Sequence, residues 1–179
     1  MAIEVELRCF VNKDKYNELL NRFKKEGKLV AEEEQETHYL DDQGMLRIQQ
    51  SSTYSKVWYK AGKLHDSQRE EIEVKAKRED FPNIEKLFKA LEYKTHIKWI
   101  RNRKEFEWRG VSAMLDYSKG YGYILELEKM SDEANKDMDL AELRERFSEL
   151  GLQPASKDEF DRRYREYSAN WEKLISAEA

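Results

Sequence analysis

The sequence predicts an α+β domain built on an antiparallel sheet, its strands falling in two blocks, each relieved by a helix. Short runs alternate apolar and polar residues with period two, and longer stretches place apolar residues at helical spacing. Only two prolines occur and no low-complexity linker interrupts the chain, which favours a single unit. At 179 residues that unit is long enough to bury a real core.

The first element is the run Ile3 to Phe10. As a strand it sends Glu4, Glu6 and Arg8 to one face and Ile3, Val5, Leu7 and Cys9 to the other. Asn12 is placed to cap a helix whose inner stripe is Tyr16, Leu19, Leu20 and Phe23, with Gly27 where a terminating glycine belongs. Lys28 to Leu40 reads as a strand, Asp41-Asp42-Gln43-Gly44 as a turn, and Met45 to Gln50 as the second arm of a hairpin. A polar turn over 51–55 leads to the short strand Lys56 to Lys60, and 62–67 forms the next loop. From Arg69 to Ala76 the alternation is clean, with Ile72, Val74 and Ala76 opposite Arg69, Glu71, Glu73 and Lys75.

The second helix has Asp80 or Asn83 as its cap, Pro82 in its first turn, and Ile84, Leu87, Phe88 and Leu91 as its buried stripe. Strands follow at about 94–108, 111–117 and 122–130. A helix bearing Leu140, Leu143 and Phe147 stops at Gly151. The last helix starts at Ser156, with Glu159 three residues on in a capping-box pattern. Its aromatics Tyr164, Tyr167 and Trp171 keep helical spacing and point to core packing or a homodimer contact.

Composition narrows the function. Charged and hydrophobic residues each make up 39%, yet aromatics stand at 12% in periodic segments, so the chain folds despite its polarity. A net charge of −4 excludes the large basic field of a general nucleic-acid binder. No apolar run approaches the roughly 18 residues of a membrane span, and the N-terminus lacks a basic region followed by an apolar stretch. The single Cys9 lies on an apolar strand face and no disulfide framework exists. A soluble cytoplasmic protein is expected. His38, His65 and His96 lack ligand spacing and read as surface or turn residues. A glycine-rich phosphate loop and a serine-nucleophile motif are both missing.

Chemistry concentrates on the polar strand faces. Arg47 and Gln49 share one, Trp58 and Lys60 another, then Arg101 with Arg103, Asp116, and Glu126 with Glu128. That face meets either water or a closed lumen. A solvated face mixes in Thr, Ser and Gln, whereas these positions collect acid pairs on some strands and base pairs on others. Guanidinium forks match phosphate oxygens, and carboxylate pairs suit hard cations such as Mg²⁺ or Mn²⁺. Trp58 on this face either stacks on a base or plugs the lumen.

Here the motifs resemble a family. Glu4-Val5-Glu6-Leu7-Arg8 resembles the Glu-x-Glu-x-Lys opening of the CYTH superfamily, the class IV adenylate cyclases and thiamine triphosphatases, also called triphosphate tunnel metalloenzymes. Tyr39-Leu40-Asp41, Leu46-Arg47-Ile48-Gln49 and Tyr59-Lys60 follow in the family's order. So do Arg69-x-Glu71-x-Glu73, Arg101-x-Arg103, Leu115-Asp116, Gly120-Tyr121-Gly122 and Glu126-Leu127-Glu128, covering most of residues 3 to 167.

The resemblance implies an eight-stranded antiparallel tunnel with charged faces inward and helices outside. It makes Glu4, Glu6, Asp116, Glu126 and Glu128 ligands of Mg²⁺ or Mn²⁺. Arg8, Arg47, Lys60, Arg69, Arg101, Arg103 and Lys157 become triphosphate ligands. Glu71 and Glu73, with Glu4 and Glu6, form the catalytic acids, orienting the bases or sharing metal. Arg8 stands in place of the family's lysine, and Gln49 in place of its second arginine, which removes a positive charge. The implied activity is metal-dependent hydrolysis of a triphosphate such as tripolyphosphate, a nucleoside triphosphate or thiamine triphosphate. The alternatives are an adenylate cyclase and a non-catalytic polyphosphate binder.

Overall fold

The computed structural model describes residues 3–41, 45–60 and 71–178. Its strands are β1 (Ile3–Val11), β2 (Lys28–Tyr39), β3 (Leu46–Gln50), β4 (Tyr54–Lys60), β5 (Glu71–Lys77), β6 (Ile97–Trp108), β7 (Val111–Ser118) and β8 (Gly122–Ser131). The helices are α1 (Lys13–Glu26), α2 (Phe81–Ala90), α3 (Lys136–Glu149) and α4 (Lys157–Ala177). All pairings are antiparallel, and the strands form one eight-stranded sheet in the order β1-β8-β7-β6-β2-β3-β4-β5.

The sheet curls. Strands lie about 4.8 Å apart, so β1 and β4 would stand about 29 Å apart if it were flat. Instead Lys60 of β4, the strand next to the end, lies 3.5 Å from Glu4 of β1, so the sheet has curled its two sides toward each other. Among the described residues β1 and β5 share no hydrogen-bond ladder. The curled sheet is thus a half-barrel whose two sides approach at this seam through ionic side chains, consistent with the expected tunnel architecture.

Period-two alternation gives the curled sheet a lumen face and an outer face. Outward, Val5 and Cys9 of β1, Leu125 and Leu127 of β8, Leu115 of β7 and Phe106 and Trp108 of β6 form one buried cluster. Leu19 and Phe23 of α1 and Leu143 and Phe147 of α3 cover it. Burying each such side chain stabilises by roughly 1.5–3 kcal/mol, so these two helices bind the sheet firmly. A smaller cluster joins Leu40 and Ile48 to Phe81 of α2, with Ile84 and Phe88 packed against it. Leu87 and Leu91, expected in that stripe, are 57% and 58% exposed, because α2 meets only this small apolar area. Burial pushes the Cys9 thiol up to about 12.

Local signals act as expected at most ends. Asn12 Oδ1 accepts from the Lys15 amide at 2.8 Å, and Ser156 Oγ from the Glu159 amide at 3.2 Å. Asp80 precedes α2 without a side-chain cap bond, and a 3₁₀ turn over Arg78–Asp80 leads in. Gly27 ends α1 as expected, with its backbone extended and its N–H donating to the Phe23 carbonyl. Glycine is needed there for closeness, since a Cβ would stand 2.8 Å from the Glu107 carbonyl.

His38 is a correction. It is buried on the outer face of β2, Nε2 2.7 Å from Glu36 Oε1, with its ring edge-on to Phe81. His96 is exposed, as expected, and His65 lies outside the described residues. Among the described residues no helix is long and apolar enough to cross a membrane.

Candidate functional site

The lumen face encloses a cavity of about 790 Å³ that receives side chains from every strand and from α4. Glu4, Glu6, Arg8, Arg47, Lys60, Glu71, Glu73, Arg101, Arg103, Asp116, Glu126 and Glu128 all line it. Alternation alone puts them there, since each is one of a period-two set on its strand. Two predicted residues are not among these. Arg69 lies outside the described residues, and Lys157 is exposed at the first position of α4 and is not part of the lining.

The densest ionic contacts run across β6, β7 and β8. Asp116 accepts two bonds from Arg103, Nε at 2.8 Å and Nη2 at 2.7 Å, and a third from Arg101 Nη1 at 3.2 Å. Arg103 also donates to Glu126 at 3.2 Å. Arg101 is held on its other side by Gln35 Oε1, at 3.0 and 2.6 Å. These forks orient both guanidiniums in a fixed plane, the geometry that bidentate phosphate recognition needs. Around the seam, Lys60 lies between Glu71 at 3.0 Å and Glu4 at 3.5 Å, and Arg8 lies 3.4 Å from Glu6.

Burial and crowding separate the carboxyl groups. Burial acts to raise Glu126, but Arg103, Arg8 and Arg101 outweigh it and hold the group down at about 2. Glu128 is pushed up to about 8 by burial and by the adjacent Glu126 and Glu4. Glu6 is likewise raised, first by burial, with Arg8 opposing and Glu126 adding. Glu6 and Glu128 are direct partners in the β1–β8 register. The lumen thus holds a carboxylate pair with too little positive charge, beside a second acid group already matched by arginine.

That donor set is all carboxylate oxygen, as Mg²⁺ and Mn²⁺ prefer. Glu4, Glu6 and Glu128 supply the oxygen donors that a hard divalent cation takes. Asp116 and Glu126 are instead engaged by Arg103 and Arg101. Among the described residues no three acidic or imidazole groups already stand at metal-holding distance.

Several lining residues had no place among the predicted site residues. Glu33, Gln35, Thr37 and Tyr39 of β2, Lys56 of β4 and Trp99 of β6 all face the lumen. Counting back by twos from Tyr39 would have found the β2 set. Phe160 and Tyr164 of α4 also line the cavity, and Tyr39, Trp99, Tyr121 and Tyr167 pack around them. The guanidinium of Arg47 lies 4.4 Å from the Tyr39 ring centroid, and that of Arg8 lies 4.6 Å from Phe160. Of the aromatics of the last helix, Tyr167 is buried in the fold and Tyr164 lines the cavity, while Trp171 is half-buried.

Comparison with known proteins agrees with this geometry. A family model described as the CYTH domain matches residues 2–160. A protein of Methanocaldococcus jannaschii named "Putative adenylate cyclase" is 32% identical over 173 residues, covering 90% of this chain and 95% of the relative. Among solved structures, a Pyrococcus horikoshii protein superposes with a TM-score of 0.69 at 24% identity, over 84% of this chain and 92% of that one. A Hippeastrum protein described as a putative adenylyl cyclase with a dominant triphosphatase activity gives 0.59 at 20% identity, over 90% and 95%. Both likenesses are in the fold.

Proposed function

The chain belongs to the CYTH domain family, and from that premise we propose that its cavity binds the triphosphate of a small molecule and hydrolyses it with the help of a divalent cation. One observation carries the reading: Arg8, Arg47, Lys60, Arg101 and Arg103 converge on one cavity together with the register-paired carboxyls of Glu6 and Glu128. A merely solvated sheet would have no reason to gather these groups in a lumen.

Each residue has a task. Arg101 and Arg103, oriented by Asp116, grip non-bridging phosphate oxygens, and Lys60 and Arg8 add charge from the seam. Glu71 holds Lys60 in place, and Glu73 does the same for Lys56 at 2.6 Å. Glu4, Glu6 and Glu128 would hold Mg²⁺ or Mn²⁺, which when bound neutralises phosphate charge and polarises phosphorus. A water hydrogen-bonded to one of these carboxylates attacks in line, and the arginines stabilise charge on the departing phosphate. The Hippeastrum protein's triphosphatase activity supports this reading.

The name of the 32% identical relative favours a second one, an adenylate cyclase in which a ribose hydroxyl replaces water and pyrophosphate leaves. Both use the same grip on triphosphate. The test is release of phosphate or pyrophosphate from tripolyphosphate, ATP and thiamine triphosphate with Mg²⁺ or Mn²⁺, against the double variant Glu4→Gln, Glu6→Gln. Orthophosphate that disappears in the double variant supports the hydrolase, and pyrophosphate with cyclic AMP supports the cyclase. Neither product from any substrate removes the catalytic reading and leaves a polyphosphate binder.

A further inference from the structure

The walls of the lumen differ in their chemistry. Across β1, β8, β7 and β6 it is ionic, with Glu4, Glu6, Arg8, Glu126, Asp116 and Arg103 in succession. Across β2, β3 and β4 the neutral side chains Gln35, Thr37, Gln49, Tyr54 and Trp58 stand among Glu33, Arg47, Lys56 and Lys60. The one lysine there that faces Gln49 in register, Lys56, is paired with Glu73 at 2.6 Å.

Among these neutral side chains the hydrogen bonding is uneven. Gln35 spends both ends of its amide, accepting from Arg101 and donating to Glu33 at 2.9 Å. Gln49 and Trp58 do not. Gln49 is 1% exposed and its Nε2 meets no acceptor; Trp58 is 6% exposed and its Nε1 meets none either. Their strands are adjacent, and the register pairs Gln49 with Lys56 and Arg47 with Trp58, which makes the two diagonal neighbours on the lumen face. A buried donor without an acceptor costs about 1–3 kcal/mol, so two side by side on a cavity wall call for a reason. The indole ring itself is already engaged, with the Lys56 ammonium 4.4 Å and the Arg47 guanidinium 5.7 Å from its centroid. What Trp58 has left to offer is its N–H.

We propose that Gln49 and Trp58 form a subsite for the organic half of the substrate, each donating to a carbonyl oxygen or ring nitrogen on the edge of a heteroaromatic group such as a nucleobase. Phosphate is the poorer match. It binds charge-assisted donors about twice as strongly as neutral ones, so the guanidiniums and ammoniums of the lumen outcompete an amide and an indole for it. A cavity of about 790 Å³ is also in the range that holds a whole drug-sized ligand, with room beyond a bare triphosphate. This rests on the triphosphate reading above and narrows it: nucleoside-like triphosphates are preferred over inorganic tripolyphosphate.

The test is calorimetric binding of methylene-bridged analogues of ATP and of tripolyphosphate, which bind without being cleaved, to wild type, Trp58→Phe, Gln49→Leu and Gln49→Arg. Trp58→Phe and Gln49→Leu are each expected to lower the preference for the nucleotide over tripolyphosphate about tenfold, the effect of one lost hydrogen bond. Gln49→Arg lowers it further, by tightening tripolyphosphate. Thermal stabilisation by the tripolyphosphate analogue confirms that each variant is folded with its ionic wall intact. A preference unchanged in Trp58→Phe and Gln49→Leu, or equal losses for both ligands, overturns the subsite. Wild type that binds both analogues but turns over no substrate removes the hydrolase reading and leaves this test valid.

Discussion

Asp116→Asn tests the ionic wall most directly. Asp116 is 2% exposed and is the shared acceptor for Arg101 and Arg103, at 3.2, 2.8 and 2.7 Å. Asparagine keeps the shape and one acceptor oxygen but removes the charge and turns a donor toward a guanidinium. Two buried cations then face each other with Glu126 as the nearest remaining acid. Breaking a buried pair by neutralising one partner costs about 3–5 kcal/mol. For a chain of this size 1 kcal/mol corresponds to about 2–4 °C, so the melting temperature should fall by roughly 6–20 °C. The assay is thermal unfolding with EDTA present, with and without tripolyphosphate. Because an added polyanion supplies the charge that the variant lacks, it should restore more stability to Asp116→Asn than to wild type. A melting temperature within about 2 °C of wild type, with an equal response to ligand, would show that Asp116 is not what holds the two arginines.

Two further predictions concern the outer face. The His38 hydrogen bond, against the opposing effect of burial and with help from Lys98 at 3.1 Å, holds the Glu36 carboxyl down at about 2, below its ordinary 4.5. A depressed carboxyl contributes stability above its unfolded value that is lost as pH falls through the folded one, so this contribution should fade between about pH 4.5 and 2. Glu36→Gln should cost about 1–2 kcal/mol at pH 7, after allowance for partial exposure, and flatten the acid limb of a denaturant titration; an unchanged limb would contradict the assignment. Gly27→Ala should destabilise by about 1–3 kcal/mol through the close Glu107 carbonyl, without backbone strain, and a neutral effect in urea unfolding would show that α1 can move away from β6.

Most of the architecture was legible because strands leave a two-residue rhythm that survives any packing. The alternation in Ile3–Val11 or Gly122–Ser131 names the lumen-facing residues before anything is known of the lumen. What was not legible depended on the partner that each element meets. The stripe of α2 is apolar by sequence, yet only Phe81, Ile84 and Phe88 find a surface, so Leu87 and Leu91 remain in solvent. His38 looked like a turn residue beside Asp41-Asp42, but its place in β2 sets it under Phe81. Gly27 matched the pattern of a terminating glycine, and a carbonyl from β6, distant in sequence, decided its role. At the site, the acids and bases could be listed in advance, but not their division into an arginine-bound group around Asp116 and a crowded pair at Glu6 and Glu128. That division depends on the strand order, which sets β1 beside β8, with β7 and β6 on the far side of β8.

The β1–β8 pairing has a consequence for how the chain reaches this state. Residues 3–11 are hydrogen-bonded to residues 123–131, so β1 waits until β8 has been made before this ladder exists. Contacts of such sequence separation are slow to form, because chain entropy is lost before any pairing rewards it. During synthesis the apolar side chains Val5, Leu7 and Cys9 have no sheet neighbour, and the hairpins from β2 to β5 are free to form first. Glu6 meets Glu128 only when that ladder zips. The electrostatic cost of that pairing therefore arises only once β8 has been made.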